Sequence, residues 1–123
     1  MSDSIASELL QKWIGVVESG DPKQVTNLYL DNGILLGTFS NKERVGHELI
    51  FDYFEKLLKS PVEVNVVSEH PHVFESVEYA ANSGLYNFVT NAKTINARFS
   101  FVYNKNDIGW KIILHHSSVL PET

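Results

Sequence analysis

The spacing of apolar residues changes at Pro61. Before it, Ile5, Leu9, Trp13, Val16 and Val17 recur as one face of a helix, with Asp3 or Ser4 available as N-cap and Gly20 just past the end. Asp21-Pro22 restarts a helix, Asp as cap and Pro in the first turn, where its missing N–H costs nothing; Val25, Leu28 and Tyr29 form its stripe and Asp31-Asn32-Gly33 stops it. Ile34 to Phe39 reads as a short strand and Ser40 to Gly46 as a polar loop, since Gly46 interrupts any helix that the Ser40/Glu43 capping-box spacing would begin. A third helix starts at about His47. Leu49, Ile50, Tyr53, Phe54, Leu57 and Leu58 give it the clearest helical stripe in the chain, and Ser60-Pro61 ends it.

After Pro61 the period is two. Val62 to Ser68, His72 to Glu75 and Tyr79 to Thr90 read as strands, with a turn-rich gap at Asn91 to Thr94. From Asn96 to Glu122 two arms rich in aromatic and β-branched residues flank a polar break at Asn104 to Gly109, the pattern of a long antiparallel hairpin. Side chains alternate along a strand, so Ala97, Phe99, Phe101 and Tyr103 point one way and Arg98, Ser100 and Val102 the other. On the second arm Ile112, Leu114 and His116 oppose Lys111, Ile113 and His115, a mixed pattern typical of a strand inside a sheet. Helices followed by a meander of strands predict an α+β domain.

At 123 residues the chain fits one domain, residues 1–123. A composition 43% hydrophobic and 20% charged is that of a globular protein. The net charge of −5, with no Lys/Arg cluster in the sequence, disfavours nucleic acid and anionic membranes as partners, because both demand a basic face. No stretch approaches the ~20 apolar residues of a membrane span, and the polar N-terminus lacks the basic start and apolar run of a signal peptide, so a cytoplasmic setting is expected. With no cysteine there is no disulfide or thiolate metal site. Phosphate-loop, dinucleotide and nucleophile-elbow patterns are missing, and no metal or cofactor is expected.

Gly20-Asp21-Pro22, Leu28-Tyr29, Leu35-Leu36, Ser40-Asn41-Lys42 with Arg44 and Gly46, Asp52-Tyr53-Phe54, Ser83-Gly84-Leu85-Tyr86, Ala97 to Tyr103, and Gly109-Trp110 through His115-His116-Ser117-Ser118 to Pro121-Glu122 follow one another in a telling order. In that order the chain resembles the nuclear-transport-factor-2-like (cystatin-like) α+β cone. More narrowly it resembles bacterial stand-alone proteins similar to the association domain of calcium/calmodulin-dependent protein kinase II, often grouped with SnoaL-like proteins. The resemblance implies three N-terminal helices packed on a curved antiparallel sheet, a pocket at the open end of the cone, and a homodimer or higher homo-oligomer joined through the sheet. That fold hosts isomerases, dehydratases, cyclases, hydrolases and assembly modules, so it does not by itself settle function.

Within such a cone Trp13, Tyr29, Tyr53, Phe54, Tyr86, Phe99 and Phe101 are the candidate ligand-binding walls, though for each one taken singly plain core is the commoner role. His115 and His116 are adjacent on a strand, face opposite sides and cannot share a metal ion. One of them is the candidate acid or base, because an imidazole titrates near neutrality. The resemblance favours His116, at whose position the kinase association domain also carries a histidine. Arg98 is expected on the outer, subunit-facing side of the sheet and Arg44 as a brace for the loop before the third helix. No carboxylate has the apolar setting that a ketosteroid-isomerase-type base requires. The reading is a small-molecule-binding and oligomerisation domain that takes a small apolar or amphipathic molecule in the cone. The alternatives are a small cofactor-free SnoaL- or ketosteroid-isomerase-like enzyme and a hub or adaptor for a kinase-like partner.

Overall fold

The computed structural model describes residues 4–121. In chain order they form α1 (Ser4–Ser19), α2 (Pro22–Thr26), β1 (Tyr29–Leu36), β2 (Arg44–Val45), α3 (His47–Leu57), β3 (Glu63–Glu69), β4 (His72–Phe74), a short turn of tight helix (Glu75–Val77), β5 (Tyr79–Thr90), β6 (Lys93–Asn106) and β7 (Gly109–Val119). Asp3 and Glu122, named above as a helix cap and a strand end, lie outside the described residues.

The punctuation read from the sequence works as chemistry. Gly20 adopts φ +82°, and its N–H donates to the Val17 carbonyl at 3.0 Å, closing α1. The Asp21 carboxylate accepts from the N–H groups of Lys23 and Gln24 at the start of α2. Gly46, at φ +89°, turns the chain into α3. The second helix is nevertheless shorter than expected. Leu28 and Tyr29 are not on it, because the Leu28 carbonyl accepts from the Ile112 N–H at 2.9 Å and Tyr29 pairs with Ile112, so the chain has already joined the sheet. Accordingly β1 begins at Tyr29 rather than Ile34 and ends at Leu36.

The strands form one sheet in the order β2-β1-β7-β6-β5-β3, with β4 also on β5. All pairs are antiparallel except β1 with β7, which is parallel. β7 thus lies inside the sheet, as its mixed pattern predicts. The helices cover one face. Leu10, Trp13 and Val17 of α1 and Ile50, Tyr53 and Phe54 of α3 pack with Tyr86 of β5 and with Phe99, Phe101 and Tyr103 of β6. Leu49, part of the expected stripe of α3, is instead 43% exposed: the helix turns Ile50, Tyr53 and Phe54 inward and leaves the adjacent flank to solvent.

One irregularity decides where the polar groups of β7 go. Val102 pairs with Leu114 while Tyr103 pairs with Ile112, so Ile113 is an extra residue bulged out of the ladder. The bulge reverses the alternation along β7. Ile112 faces inward on one side of it, and His115 and Ser117 face inward on the other.

Candidate functional site

His115, at 2% exposure, stands in the middle of the covered face, directly across from Phe101 on β6. Its ring stacks on Phe101, with centroids 3.9 Å apart and planes 13° from parallel, and meets the edge of Trp13 at 5.1 Å. The choice of His116 as the cone histidine is therefore corrected. His116 is exposed on the opposite face, because the bulge at Ile113 shifts the strand by one residue and every side chain after it changes sides.

Both ring nitrogens of His115 are engaged. The Tyr29 hydroxyl lies 2.8 Å from Nδ1 and the Tyr86 hydroxyl 3.2 Å from Nε2. Trp13 Nε1 donates to the Tyr29 oxygen at 3.2 Å, the Tyr86 hydroxyl donates to Ser117 Oγ at 2.5 Å, and Ser117 Oγ meets Thr38 Oγ1 at 2.5 Å. The Tyr86 proton goes to Ser117, so in a neutral ring Nε2 carries the hydrogen and Nδ1 is the acceptor, and this fixes the direction of the chain. Tyr29 accepts from Trp13 and gives its proton to Nδ1; Nε2–H then donates to Tyr86, Tyr86 to Ser117, and Ser117 to Thr38. In that ordering every proton from Trp13 to Ser117 has an acceptor, and His115 is the neutral Nε2–H tautomer.

The electrostatics agree. Burial, and secondarily the neighbouring His116, push the His115 pKa down to about 3, so the ring is neutral across the physiological range. Burial likewise raises Tyr29 and Tyr86 well above the usual phenol value and takes Tyr53 up to about 12. Every member of the network is uncharged. A histidine this reluctant to take a proton is a weak general base at neutral pH.

Space is the second constraint. The void beside His115, lined by Trp13, Tyr53, Phe54, Tyr86 and Ser117 among others, is about 10 Å³, close to the least that holds one water. A larger cavity of about 370 Å³ opens at the mouth of the cone, between α3 and the turn joining β5 to β6. Phe39, Tyr53, Leu57 and Ile95 form its apolar walls, and Arg44, Lys56 and Lys93 also line it. Tyr53 closes the floor and accepts from the Phe39 N–H at 3.3 Å. Gly37 makes that possible, since a Cβ there would sit 2.4 Å from the Tyr53 ring.

The expected walls are thus divided. Trp13, Phe54 and Tyr86 line the small void and Tyr53 lines both spaces, while Tyr29 belongs to the hydrogen-bond chain. Phe99 and Phe101 lie beneath as core and line neither of the two. Thr38, Ser117, Lys56 and Lys93 were not anticipated. For Ser117 the signal was present in its position two residues beyond His115 on one strand face; Lys56 and Lys93 reach the mouth from separate elements. Arg44 acts as the expected brace, donating to Ser40, to the Leu49 carbonyl and to Asp52 at 2.7 Å, which holds the Asp52 carboxyl below its usual range. Among the described residues no three His, Asp or Glu side chains gather as a metal site, and no helix is long and apolar enough to cross a membrane.

The outer face of the sheet carries a separate groove of about 440 Å³. His116, Arg98, Ser100 and Ser118 line it, Arg98 on the side read for it from strand alternation.

Comparison with known proteins places this geometry. A structure described as a calcium/calmodulin-dependent protein kinase II association domain from Xanthomonas campestris is 34% identical, covers 95% of this chain and 86% of its own, and superposes with a TM-score of 0.89. More distant structures share the fold alone. A nuclear-transport-factor-2-like protein of unknown function from Pseudomonas putida is 15% identical, with 98% and 88% coverage and a TM-score of 0.85. A dehydratase-named member of the nuclear-transport-factor-2-like family from Streptomyces avermitilis is 14% identical, with 99% and 100% coverage and a TM-score of 0.83. The comparison with curated proteins finds no match. Residues 4–121 match the family described as the calcium/calmodulin dependent protein kinase II association domain, and with its cone of helices on a curved, mainly antiparallel sheet the chain belongs to that family, within the nuclear-transport-factor-2-like fold.

Proposed function

We propose that the protein is a cytoplasmic small-molecule-binding and homo-oligomeric assembly module whose ligand sits at the mouth of the cone. The observation that carries this reading is the contrast between the two spaces: about 370 Å³ at the mouth, within the usual range of ligand pockets, against about 10 Å³ beside His115. The polar groups around His115 have partners in one another, so they pre-organise the walls rather than await a substrate. Assembly is supported by the outer sheet face, where Arg98, Ser100 and His116 stand exposed, uncovered by any element among the described residues. A dimer through that face would bury roughly 1,200 Å² or more. Light scattering at micromolar concentration tests the assembly, with a monomer as the refuting result. Fragment titration followed by amide NMR tests the binding site: shifts confined to the outer groove would refute the mouth.

One observation favours a second reading, a cofactor-free isomerase-, cyclase- or hydrolase-type enzyme. A histidine does stand in the cone with Tyr29 and Tyr86 within hydrogen-bonding reach. Catalysis there requires the cone to open and the Tyr29–Nδ1 bond to break. If His115 resonances stay unchanged by every ketone and carboxylate probe that binds, the enzyme reading fails.

A further inference from the structure

We infer that the mouth cavity is built for an amphipathic anion, an aryl or alkyl carboxylate whose apolar body lies against Phe39, Tyr53, Leu57 and Ile95 and whose charge faces Lys56, Lys93 and Arg44. The inference rests on the mouth-site reading above and adds the ligand's chemistry. The chain carries a net charge of −5, yet among the described residues the cavity is lined by three cationic side chains and no acidic one. Asp52 pairs with Arg44 at 2.7 Å and Lys56 at 3.1 Å and so offsets one of the three charges. A positive balance is left at the rim of an apolar hole.

Arg44 is the fixed part of the site. It is 8% exposed, its guanidinium lies 5.9 Å from the centre of the Tyr53 ring, and Ser40, Leu49 and Asp52 hold it in place. Of its five N–H groups, four have acceptors among the described residues, which leaves one on Nη2 for a ligand oxygen. Lys56 and Lys93 are exposed partners on the two sides of the opening, one on α3 and one after the β5–β6 turn.

That turn supplies an independent sign. Thr90 pairs with Lys93, so Asn91 and Ala92 make a two-residue hairpin turn with φ +53° and +64°. Such a turn favours glycine at its second position, and an alanine held there is strained. Strain of this kind persists where surrounding structure requires it and collects at binding sites. Here Thr90, Asn91 and Lys93 all line the cavity, and the tight turn sets where Lys93 begins.

The test uses the full chain and matched probes: naphthoate, naphthylmethanol, naphthylmethylammonium and acetate. Calorimetry should find naphthoate at least about tenfold tighter than the alcohol, with the ammonium and acetate weaker than both. The preference should shrink as NaCl rises from about 0.05 to about 0.5 M, because the lysines are exposed and screened. Lys56→Gln with Lys93→Gln should cut the preference to what Arg44 alone supplies, and an undiminished preference overturns the assignment of charge recognition to the lysines. Equal affinity for naphthoate and naphthylmethanol overturns the anion inference but leaves the mouth as an apolar site. Tighter binding of the ammonium overturns it as well. Naphthoate shifts that map to Arg98 and His116 overturn the location, and failure of every probe to bind overturns both this inference and the reading it rests on.

Discussion

The Tyr29 hydroxyl stands 2.8 Å from Nδ1 of His115 and receives the Trp13 indole proton on its other side, so three residues from α1, β1 and β7 are joined in the centre of the core. With Tyr29 donating, the bond needs an unprotonated Nδ1. Protonating it reverses the bond, so that Tyr29 accepts from both the ring and Trp13 and its own proton loses its acceptor, and it places a charge among Phe101, Trp13 and Tyr86, with no counter-ion among the hydrogen-bond partners of the ring.

A pH dependence follows. The folded pKa of His115, about 3, lies below the ordinary value of 6.5, so the unfolded chain binds the extra proton first. The stability due to the neutral ring is therefore complete above pH ~6.5 and is lost as pH falls toward about 3, at roughly 1.4 kcal/mol per pH unit in that window. Urea unfolding between pH 7 and about 5, above the range of most carboxylates, should show this slope. His115→Gln, though less stable at pH 7, should flatten it; an unchanged slope would assign the effect to other groups.

Two tyrosine-to-phenylalanine changes should have opposite signs. Tyr29→Phe leaves both the Trp13 N–H and His115 Nδ1 unpaired in the interior and should destabilise by about 1–3 kcal/mol. The Tyr103 hydroxyl is buried without a partner among the described residues, so Tyr103→Phe should be neutral or stabilising by up to about 1 kcal/mol. Chemical denaturation of the two variants side by side measures the difference.

Helix orientation can be checked on α3. Phe54, at 1% exposure, packs against Tyr29 and Tyr53, and Phe54→Ala should cost about 3–5 kcal/mol. Leu49→Ala, on the exposed flank, should stay within about 0.5 kcal/mol. Comparable melting-temperature losses for the two would mean that the helix is turned the other way.

Two small residues frame the mouth. Gly37→Ala forces its Cβ into the Tyr53 ring and should cost about 1–3 kcal/mol while displacing the floor of the cavity. Ala92→Gly relieves a left-handed alanine and should raise stability by about 1 kcal/mol. Thermal unfolding together with naphthoate titration separates the two effects: the first change should weaken binding and the second should not improve it.

By itself the sequence determined the periods and the stops. Period 3.6 before Pro61 and period 2 after it, with Gly20, Asp21-Pro22, Gly46 and Ser60-Pro61 as punctuation, are local properties of the backbone, and they gave α1, α3, β5, β6 and the apolar face of Phe99, Phe101 and Tyr103 in nearly their observed places. The order of short motifs was enough to point to the family. Only the tertiary structure decided the rest. Whether Tyr29 continues a helix or opens a strand depends on the edge of β7 beside it, a partner more than eighty residues away in the chain. Which of two adjacent histidines enters the cone depends on a single bulged residue, Ile113, and strict alternation contains no information about where a ladder slips. The cavity at the mouth draws Arg44, Lys56 and Lys93 from three separate elements, and no spacing along the chain records that they meet.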